Sequence, residues 1–290
     1  MGMKYHFDEA AANKAVDFIE KFCTHVKGEL GGKPFLLETW QKDDIIRPLF
    51  GWKKEDGTRR YRTCYVEIPR KNGKSNLSAA IALYMLFADG EPGAEIISAA
   101  GDRGQANIVF DIARDMIGNN RHLDQRSRVL RNVIKYKSSW YKSISAEAYT
   151  KHGLNCHAVI FDELHTQPNR DLWDVLTTST GARRQPLIMA LTTAGHDRAS
   201  ICYEVHEYAE KVRDGVIVDD TFLPVLYAAS ADDDWTLEET WKKANPGYGT
   251  ICHRSYFDQA VQNAKANPSM VNSFLRLHLN IWTSAETAWI

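Results

Sequence analysis

The sequence predicts an α/β fold with a mainly parallel central sheet. Strand-like apolar runs occur at residues 65–68, 94–100, 158–161 and 185–191, and residues 158–161 are apolar throughout, as expected of a strand buried on both faces. The first two runs are each followed by a glycine-containing turn and a helix-forming segment. Strand, turn and helix repeated at this spacing indicate βαβ units and parallel strand pairing.

Composition limits the classes of protein that need to be considered. The 290 residues carry a formal net charge of -1, with 44% hydrophobic and 25% charged residues, which is ordinary for a soluble globular protein. Any nucleic-acid partner must therefore be met by a local basic patch. The longest apolar run, residues 79–88, is about half of the roughly 20 residues that a membrane helix needs. The five scattered cysteines fit reduced thiols, so we expect an intracellular protein with no membrane partner.

The N-terminal segment is predicted to be mostly helical. Asp8 is placed to cap a helix that runs to about residue 26 with one apolar face. Residues 34–41 then lead into a second apolar helix that ends near Trp52. Gln41 has a side-chain amide that suits an adenine, although an ordinary amphipathic helix would explain the same stretch.

A phosphate-binding loop is predicted between the first strand and its helix. The loop reads Arg70-Lys71-Asn72-Gly73-Lys74-Ser75. In such a loop the backbone N–H groups attract anions, the lysine reaches the β- and γ-phosphates, and the serine hydroxyl binds Mg²⁺. The fit to G-x-x-x-x-G-K-[ST] is incomplete, because Ile68 occupies the first glycine position.

Two carboxylates follow the third apolar run. Asp162 and Glu163 come directly after residues 158–161, and ligands of open α/β sheets bind at the carboxyl ends of strands. Asp162 is predicted to hold Mg²⁺, and Glu163 to orient and deprotonate an attacking water. A strand that ends in a solvated acidic turn is the alternative, and Lys74 and Ser75 upstream favour the site.

Hydroxyl groups end the fourth apolar run. Thr192 and Thr193 follow residues 185–191, where they can contact the γ-phosphate and report its loss to the rest of the protein. Small turn residues are not specific by themselves, so this assignment depends on the two preceding motifs.

Residues 121–142 form a basic stretch. Seven Lys and Arg side chains stand there against the single acid Asp124. This excess indicates contact with phosphates, either of DNA or of a neighbouring subunit's nucleotide, with a solvated basic surface as the alternative. The candidates for an arginine finger that acts in trans are Arg121, Arg126, Arg128 and Arg131.

The C-terminal part is predicted to form a small accessory subdomain. Its elements are a strand over residues 222–227 and helices over residues 236–244, 255–266 and 269–280. Packing alone explains the apolar faces of these helices. We therefore divide the chain into a core at residues 1–220 and a C-terminal subdomain at residues 221–290.

Together these segments resemble the large terminase subunit of tailed double-stranded DNA phages, in particular the group with R-K-N-G-K-[ST] in the loop. The resemblance covers nearly the whole chain and is specific as a set of motifs. It rests on residues 37–41, 70–75, 160–163 and 191–195. Ile68 departs from the general loop pattern but agrees with this group.

The resemblance implies a P-loop NTPase of the RecA-like (ASCE) type, with a three-layer αβα fold and a C-terminal helical lid or linker. It implies an ATPase that uses ATP and Mg²⁺ to translocate double-stranded viral DNA into a procapsid. The implied partners are the portal protein and the small terminase subunit, and the implied assembly is a homo-oligomeric, pentameric ring. The implied location is the host cytoplasm, at the portal vertex of the procapsid.

The resemblance also implies roles by position. Lys74 and Ser75 would bind the phosphates and Mg²⁺, with Arg70 as the sensing basic residue of the loop. Asp162 would hold Mg²⁺ and Glu163 would be the catalytic base. The loop from Arg70 to Ser75 would bind the nucleotide, as would the adenine-recognising glutamine at Gln41. Thr192 and Thr193 would form the coupling segment.

Terminases of this group continue into a nuclease domain with an RNase H-like fold. The remaining carboxylate cluster, Asp232-Asp233-Asp234, consists of chain neighbours that cannot all face one metal ion. We therefore expect this chain to be the ATPase half, with no nuclease domain and no nuclease activity.

Three other functions fit parts of the sequence. Residues 162–165 match the D-E-x-H box of a superfamily 2 helicase, but no second RecA-like domain is recognisable. A non-hydrolysing assembly protein with ATP as a structural ligand would not need Glu163. A zinc site is the third, although its spacing fits no standard finger. Its candidate ligands are His152, Cys156, His157 and His165.

Overall fold

A computed structural model describes residues 4–146 and 153–283 and confirms the α/β class. Within these residues the chain forms ten strands. In order they are β1 (Tyr5–Phe7), β2 (Trp52–Lys54), β3 (Thr63–Glu67), β4 (Glu95–Ala100), β5 (Arg128–Leu130), β6 (Val133–Tyr136), β7 (Ser139–Ser145), β8 (Ala158–Asp162), β9 (Leu187–Thr192) and β10 (Phe222–Leu226).

The helices alternate with the strands of the core and continue beyond the last strand. The α-helices are α1 (Glu9–Phe22), α2 (Arg47–Gly51), α3 (Lys74–Phe87), α4 (Arg103–Gly118), α5 (Arg121–Asp124), α6 (Asp171–Thr178), α7 (Ile201–Arg213), α8 (Glu238–Ala244), α9 (Arg254–Ala266) and α10 (Val271–Leu279). A π-helical segment, Gln41–Ile46, and two 3₁₀ turns, Leu164–Thr166 and Pro268–Met270, complete the set.

Eight of the strands form one sheet in the order β10-β3-β9-β8-β4-β7-β6-β5. From β10 to β7 all neighbours pair in parallel, whereas β6 and β5 extend the sheet in antiparallel fashion. β1 and β2 form a separate antiparallel pair. The predicted mainly parallel sheet is confirmed, and its parallel strands direct their carboxyl ends to one edge.

Helices cover both faces of the sheet, which confirms the three-layer arrangement. Residues of α1, α3 and α4 pack on one face, where α3 is buried along almost its whole length because it is rich in Ala and Leu. Residues of α6 and α7 pack on the other face against side chains such as Val159 and Phe161. Helices α8, α9 and α10 enclose a third apolar cluster around Trp241 and Phe257.

Several details differ from the sequence analysis. Helix α1 begins after Asp8, whose carboxylate accepts from the Ala11 N–H as predicted, but it ends at Phe22 rather than near residue 26. The basic stretch forms the antiparallel strands β5 to β7, which charge alone does not reveal. Strand β10 pairs with β3, so the central sheet continues beyond the boundary that we predicted after residue 220.

Within the described residues, no helix is both long enough and apolar enough to cross a lipid bilayer.

Candidate nucleotide-binding site

The predicted loop, acidic pair and hydroxyl segment meet at one edge of the sheet. β3, β9 and β8 are neighbours and parallel, so the residues that follow their carboxyl ends lie together. The Lys74 ammonium donates to Thr193 Oγ1 at 2.7 Å and lies 3.5 Å from Glu163 Oε1. Ser75 Oγ lies 3.5 Å from Asp162 Oδ2. Segments about 90 and 120 residues apart in the chain thus form one cluster.

Ile68 occupies the first glycine position because the backbone there needs no glycine. Its N–H donates to Thr192 O at 3.0 Å, so the residue extends the β3–β9 pairing. Its side chain is fully buried, and its carbonyl accepts from the Lys74 ammonium at 3.2 Å. The left-handed conformations come later in the loop, at Lys71 (φ 68°) and Gly73 (φ 80°).

Asn72 braces this loop. Its Nδ2 donates to the carbonyls of Pro69 and Arg70, at 3.2 Å and 3.3 Å, and to Asn245 Oδ1 at 2.9 Å. Its Oδ1 accepts from the Gly247 N–H at 3.2 Å. A buried amide therefore fixes the loop from inside and ties it to the turn after α8.

The charges of Lys74, which is buried, and Glu163, which is partly buried, balance each other. Burial lowers the pKa of Lys74, opposed by the nearby carboxylates. Burial also works against ionisation of Glu163, but the Lys74 ammonium and then His165 outweigh it, which lowers the pKa of Glu163 to about 2. Glu163 adopts the left-handed conformation (φ 52°), which is uncommon for a residue with a side chain.

Asp162 is in the opposite situation. Its Oδ1 is buried and has no hydrogen-bond partner. Burial, followed by the negative charge of Glu163, raises its pKa to about 7. A buried carboxylate with an unsatisfied oxygen beside a serine hydroxyl fits the oxygen ligands that Mg²⁺ takes. Asp162 and Ser75 are thus the residues that would hold the ion.

His165 links the acidic pair to the hydroxyl segment. Its Nδ1 lies 3.2 Å from Glu163 Oε2 and 3.1 Å from Thr192 Oγ1. Its backbone N–H also donates to Thr192 Oγ1, at 3.2 Å. Sequence reasoning placed His165 only in a helicase-like box and a zinc hypothesis, and missed its position between Glu163 and Thr192.

A cavity of about 510 Å³ opens over this cluster. Its size is within the usual range for small-ligand sites. It is lined by Arg70, Lys71, Gly73, Lys74, Ser75, Asn76, Gln105, Glu163, His165 and Thr166. Gln105 and Thr166 were not predicted, although both lie in segments that follow carboxyl ends of strands, where ligand contacts are expected.

Gln41 lies behind the loop rather than in this cavity. It is fully buried, and its Oε1 accepts from the Glu38 N–H at 3.1 Å. Its Nε2 has no hydrogen-bond partner and would lie 3.6 Å from a Cβ placed on Gly73. An adenine contact at Gln41 therefore stays a prediction.

None of the four candidate finger arginines lines this chain's own cavity. Arg121, Arg126, Arg128 and Arg131 are exposed and belong to or flank α5 and β5. β5 is six strands from β3 in the sheet, or roughly 29 Å at about 4.8 Å per strand. They are not brought together with the phosphate-binding loop in one chain.

The zinc hypothesis gains no support from the part of the chain that the structure describes. No group of three or more His, Cys, Asp or Glu residues there is arranged to hold a metal ion. His152 lies outside the described residues. Within Asp232–Asp234, Asp233 pairs with Lys243 and Asp234 accepts from Thr236, as expected of a solvated loop.

Comparisons with known proteins agree with these motifs. The family model "Terminase large subunit, ATPase domain" matches residues 39–211. The chain is 33% identical over 286 residues to the terminase large subunit of Enterobacteria phage HK97, covering 96% of this chain and 54% of that protein. It is 35% identical over 137 residues to protein YmfN of Escherichia coli K12, covering 47% and 30% of the two chains.

A solved structure shows the same fold. The crystal structure of the HK97 bacteriophage large terminase superposes with a TM-score of 0.82 at 28% identity, covering 93% of this chain and 55% of that one. This chain thus spans about half the length of the curated HK97 relative, at 54%.

A second family match corrects one prediction. The model "Terminase large subunit, endonuclease domain" matches residues 216–290. The expectation that this chain contains no nuclease part and has no nuclease activity was therefore wrong. Helices with apolar faces, which looked like an accessory subdomain alone, gave no signal of this relationship.

Proposed function

Because this chain belongs to the terminase large subunit family, we propose that it binds ATP with Mg²⁺ in the cavity above Lys74 and hydrolyses it. We further propose that hydrolysis drives the translocation of double-stranded viral DNA into a procapsid. The observation that carries the proposal is the convergence of Lys74, Ser75, Asp162, Glu163 and Thr193 from three neighbouring strands.

The cluster supplies each group that phosphoryl transfer to water needs. Lys74 and the N-terminus of α3 offer positive charge to the phosphates, and Arg70 and Lys71 line the same cavity. Asp162 and Ser75 would hold Mg²⁺, which when bound supplies charge neutralisation for the phosphates. Gln41, with its unpartnered Nε2, is the proposed adenine contact.

Glu163 is the proposed base for the attacking water. Its carboxylate is ionised, but both of its oxygens contact other side chains, one Lys74 and the other His165. A pKa of about 2 makes this carboxylate a weak base. Phosphate oxygens that bind Lys74 would withdraw this counter-charge from Glu163. Its pKa then rises, so the base becomes competent when the nucleotide is in place.

The Thr192–Thr193 segment is the proposed coupling element. Thr193 bonds Lys74, and Thr192 faces His165. Both ends of the phosphate site therefore contact this segment, and loss of the γ-phosphate changes its hydrogen bonds.

The assembly that we propose is a pentameric ring on the portal protein, at the portal vertex of the procapsid in the host cytoplasm, with the small terminase subunit and double-stranded DNA as partners. The exposed arginines around β5 are available for contacts between neighbours, because none of them lines the cavity of its own chain. We propose that one of Arg121, Arg126, Arg128 and Arg131 acts in trans. Helices α8 to α10 are the proposed lid, since Asn245 and Gly247 already hold Asn72.

Two substitutions test binding and turnover separately. Lys74→Ala is expected to weaken ATP binding about 100-fold or more in a calorimetric titration, because it removes the buried charge opposite the phosphates. Glu163→Gln is expected to bind ATP within a few-fold of the wild type but to turn over at least about 100-fold more slowly. Lys211→Ala, which removes a half-exposed lysine from α7, is the matched control and leaves both unchanged.

Each result distinguishes the proposal from an alternative. Normal ATP binding by Lys74→Ala would remove the loop from its role, and wild-type turnover by Glu163→Gln would remove the base. A wild-type protein that binds ATP without turnover under any condition would support a structural ligand instead.

A further inference from the structure

A buried carboxylate outside the phosphate cavity, Glu67, collects hydrogen bonds from three parts of the chain. Glu67 is the last residue of β3 and is only 1% exposed. Its oxygens accept from Tyr65 Oη at 2.6 Å and from Trp282 Nε1 at 3.2 Å, and they face His206 Nδ1 at 3.0 Å and Asn280 Nδ2 at 3.5 Å. Burying a carboxylate is costly unless its oxygens are satisfied, so this set of donors has been assembled around it.

The pKa of His206 shows the electrostatic effect of the Glu67 carboxylate. Burial by itself lowers the pKa of His206, but the hydrogen bond to Glu67 and its charge reverse the effect and raise the pKa. The carboxylate thus anchors α7 as well as the chain after α10.

Asn280 carries the connection from Glu67 to the nucleotide site. Asn280 is 2% exposed, in the left-handed conformation (φ 59°, ψ 32°) that ends α10. Its Nδ2 donates to Tyr227 O at 2.7 Å, and its Oδ1 accepts from the Ala194 N–H at 2.7 Å. Ala194 directly follows Thr193, the residue that bonds the Lys74 ammonium.

Trp282 packs against the same segment, at Gly195. A Cβ on Gly195 would lie 2.8 Å from the Trp282 ring, so the ring rests directly on the glycine. The ring also packs against Tyr203, with centroids 4.9 Å apart. The glycine at position 195 therefore has a physical reason, because a Cβ there would meet the Trp282 ring.

We propose that Asn280, held by Tyr227 O and by Glu67, is a positioning residue for the ATPase site, which fixes the Thr192–Thr193 segment through the Ala194 N–H. The inference rests on the proposed ATP hydrolysis at Lys74. It adds that residues 279–282, which lie within the stretch matched by the endonuclease family model, complete the edge of the nucleotide site. The conformation of the part matched by the endonuclease model would thereby depend on the nucleotide bound in the part matched by the ATPase model.

Asn280→Gly in the full chain is the direct test. Glycine keeps the left-handed backbone at no steric cost and removes only the amide, so the Ala194 N–H loses its acceptor. We expect kcat for ATP to fall about tenfold, with the Kd for ADP within about threefold of the wild type. Hydrogen–deuterium exchange of peptides that contain Ala194 should become faster, while peptides from β4 stay unchanged.

Two further variants separate positioning from loss of stability. Val16→Ala removes buried volume from α1, in the large apolar cluster of the core, without touching Ala194. It should lower the Tm without lowering kcat at 25 °C. Glu67→Gln keeps the size of the side chain but weakens its bonds to the four donors, and should lower kcat about threefold.

Opposite results would overturn the inference. An Asn280→Gly protein with kcat within twofold of the wild type, or with unchanged exchange at Ala194, leaves Asn280 without a positioning role. An equal fall in kcat for Val16→Ala assigns the effect to stability. If the wild type itself shows no turnover, the proposed hydrolysis fails instead, and faster exchange at Ala194 in Asn280→Gly still reports on this contact.

Linkage supplies an independent readout. If Asn280 couples the two parts, ADP with Mg²⁺ must change the exchange of residues 279–283 in the wild type, and this change must shrink in Asn280→Gly. Identical exchange of these residues with and without ADP, at a concentration that saturates binding, would contradict the coupling.

Discussion

Buried charges cluster at both ends of the central sheet, but the two clusters are built differently. At the carboxyl ends of the strands, Lys74, Asp162 and Glu163 form the carboxyl-end cluster, in which opposite charges are 3.5 Å apart beside an open cavity. At the amino ends, Arg59, Asp89 and His157 form the amino-end cluster. There Arg59 Nη1 is 2.8 Å and His157 Nε2 is 2.6 Å from the two oxygens of Asp89.

The difference appears most clearly in two aspartates with largely buried carboxylates, Asp89 and Asp162. Burial tends to raise the pKa of both. At Asp89 the Arg59 guanidinium and then His157 reverse this and hold its pKa well below the usual range. At Asp162 no cation compensates fully, and the pKa rises to about 7. A buried carboxylate with both oxygens paired to cations, as at Asp89, stabilises the fold, whereas a buried carboxylate without full compensation beside a cavity is prepared for a ligand that brings its own charge.

The largest effect is expected from breaking the amino-end cluster. Arg59→Ala leaves Asp89 buried without its main counter-charge and opens a hole under the Phe50 ring, which the guanidinium contacts at 5.5 Å. The free energy of unfolding should fall by about 3–5 kcal/mol, measured by urea denaturation at pH 7. The Kd for ATP should stay within a few-fold under conditions where the protein is folded.

Arg184→Ala is the matched control for this comparison. Arg184 is 70% exposed and pairs with Asp56 across solvent, so its loss should cost no more than about 1 kcal/mol. An Arg59→Ala protein that is as stable as Arg184→Ala would show that the amino-end cluster does not hold the sheet together.

The two clusters also differ in how far the sequence predicts them. Lys74 and Glu163 belong to short contiguous motifs at strand ends, so their convergence follows from parallel pairing. Arg59, Asp89 and His157 share no motif, His157 having been considered only as a zinc ligand, and they are separated by 30 and 68 residues, so only the tertiary fold brings them together. Asn280 and Glu67 are 213 residues apart and escaped prediction for the same reason. Strand β10 was predicted, but its place beside β3 depends on pairing that the pattern does not specify.

A second prediction uses pH to measure the positive charge around the carboxyl-end cluster. His278 is stacked against Phe274 and Tyr256, and burial, followed by the charge of Arg70, lowers its pKa to about 4. The folded protein favours the neutral ring, so this stabilisation is complete above pH 6.5 and is lost as pH falls through about 4. The loss should reach up to about 3 kcal/mol in urea denaturation.

His278→Phe should remove most of this pH dependence between pH 6.5 and 4.5, because phenylalanine keeps the stacking without a titrating group. Arg70→Ala should weaken the dependence, and Arg184→Ala should leave it intact. An unchanged slope in His278→Phe would assign the acid sensitivity to other groups.

A third prediction concerns the carboxyl-end cluster, which lies beside the open cavity. His165→Ala removes the Nδ1 contact that holds the Glu163 carboxylate, so kcat should fall by about 10-fold to 100-fold while KM for ATP changes little. His165→Asn places an amide nitrogen near the position of Nδ1 and should recover most of the rate. Equal losses for both substitutions, or a rise in KM alone, would show that the Nδ1 contact does not orient Glu163.

The smallest effect in the isolated chain is expected at the exposed arginines near β5. Arg121→Ala, Arg126→Ala, Arg128→Ala and Arg131→Ala should each change the free energy of unfolding by no more than about 0.5 kcal/mol, since none of these side chains is buried. ATP binding by dilute protein should also be unchanged, because the cavity of the same chain is six strands away.

The effect of an arginine finger that acts in trans can be measured only when chains associate. At high concentration, mixing the relevant Arg→Ala protein with Lys74→Ala protein should restore ATPase activity, because the second chain lacks a working site but donates the arginine. If all four mixtures show the same activity as the unmixed Arg→Ala proteins, none of the four arginines acts in a neighbouring active site. The basic stretch is then a solvated surface or a DNA contact.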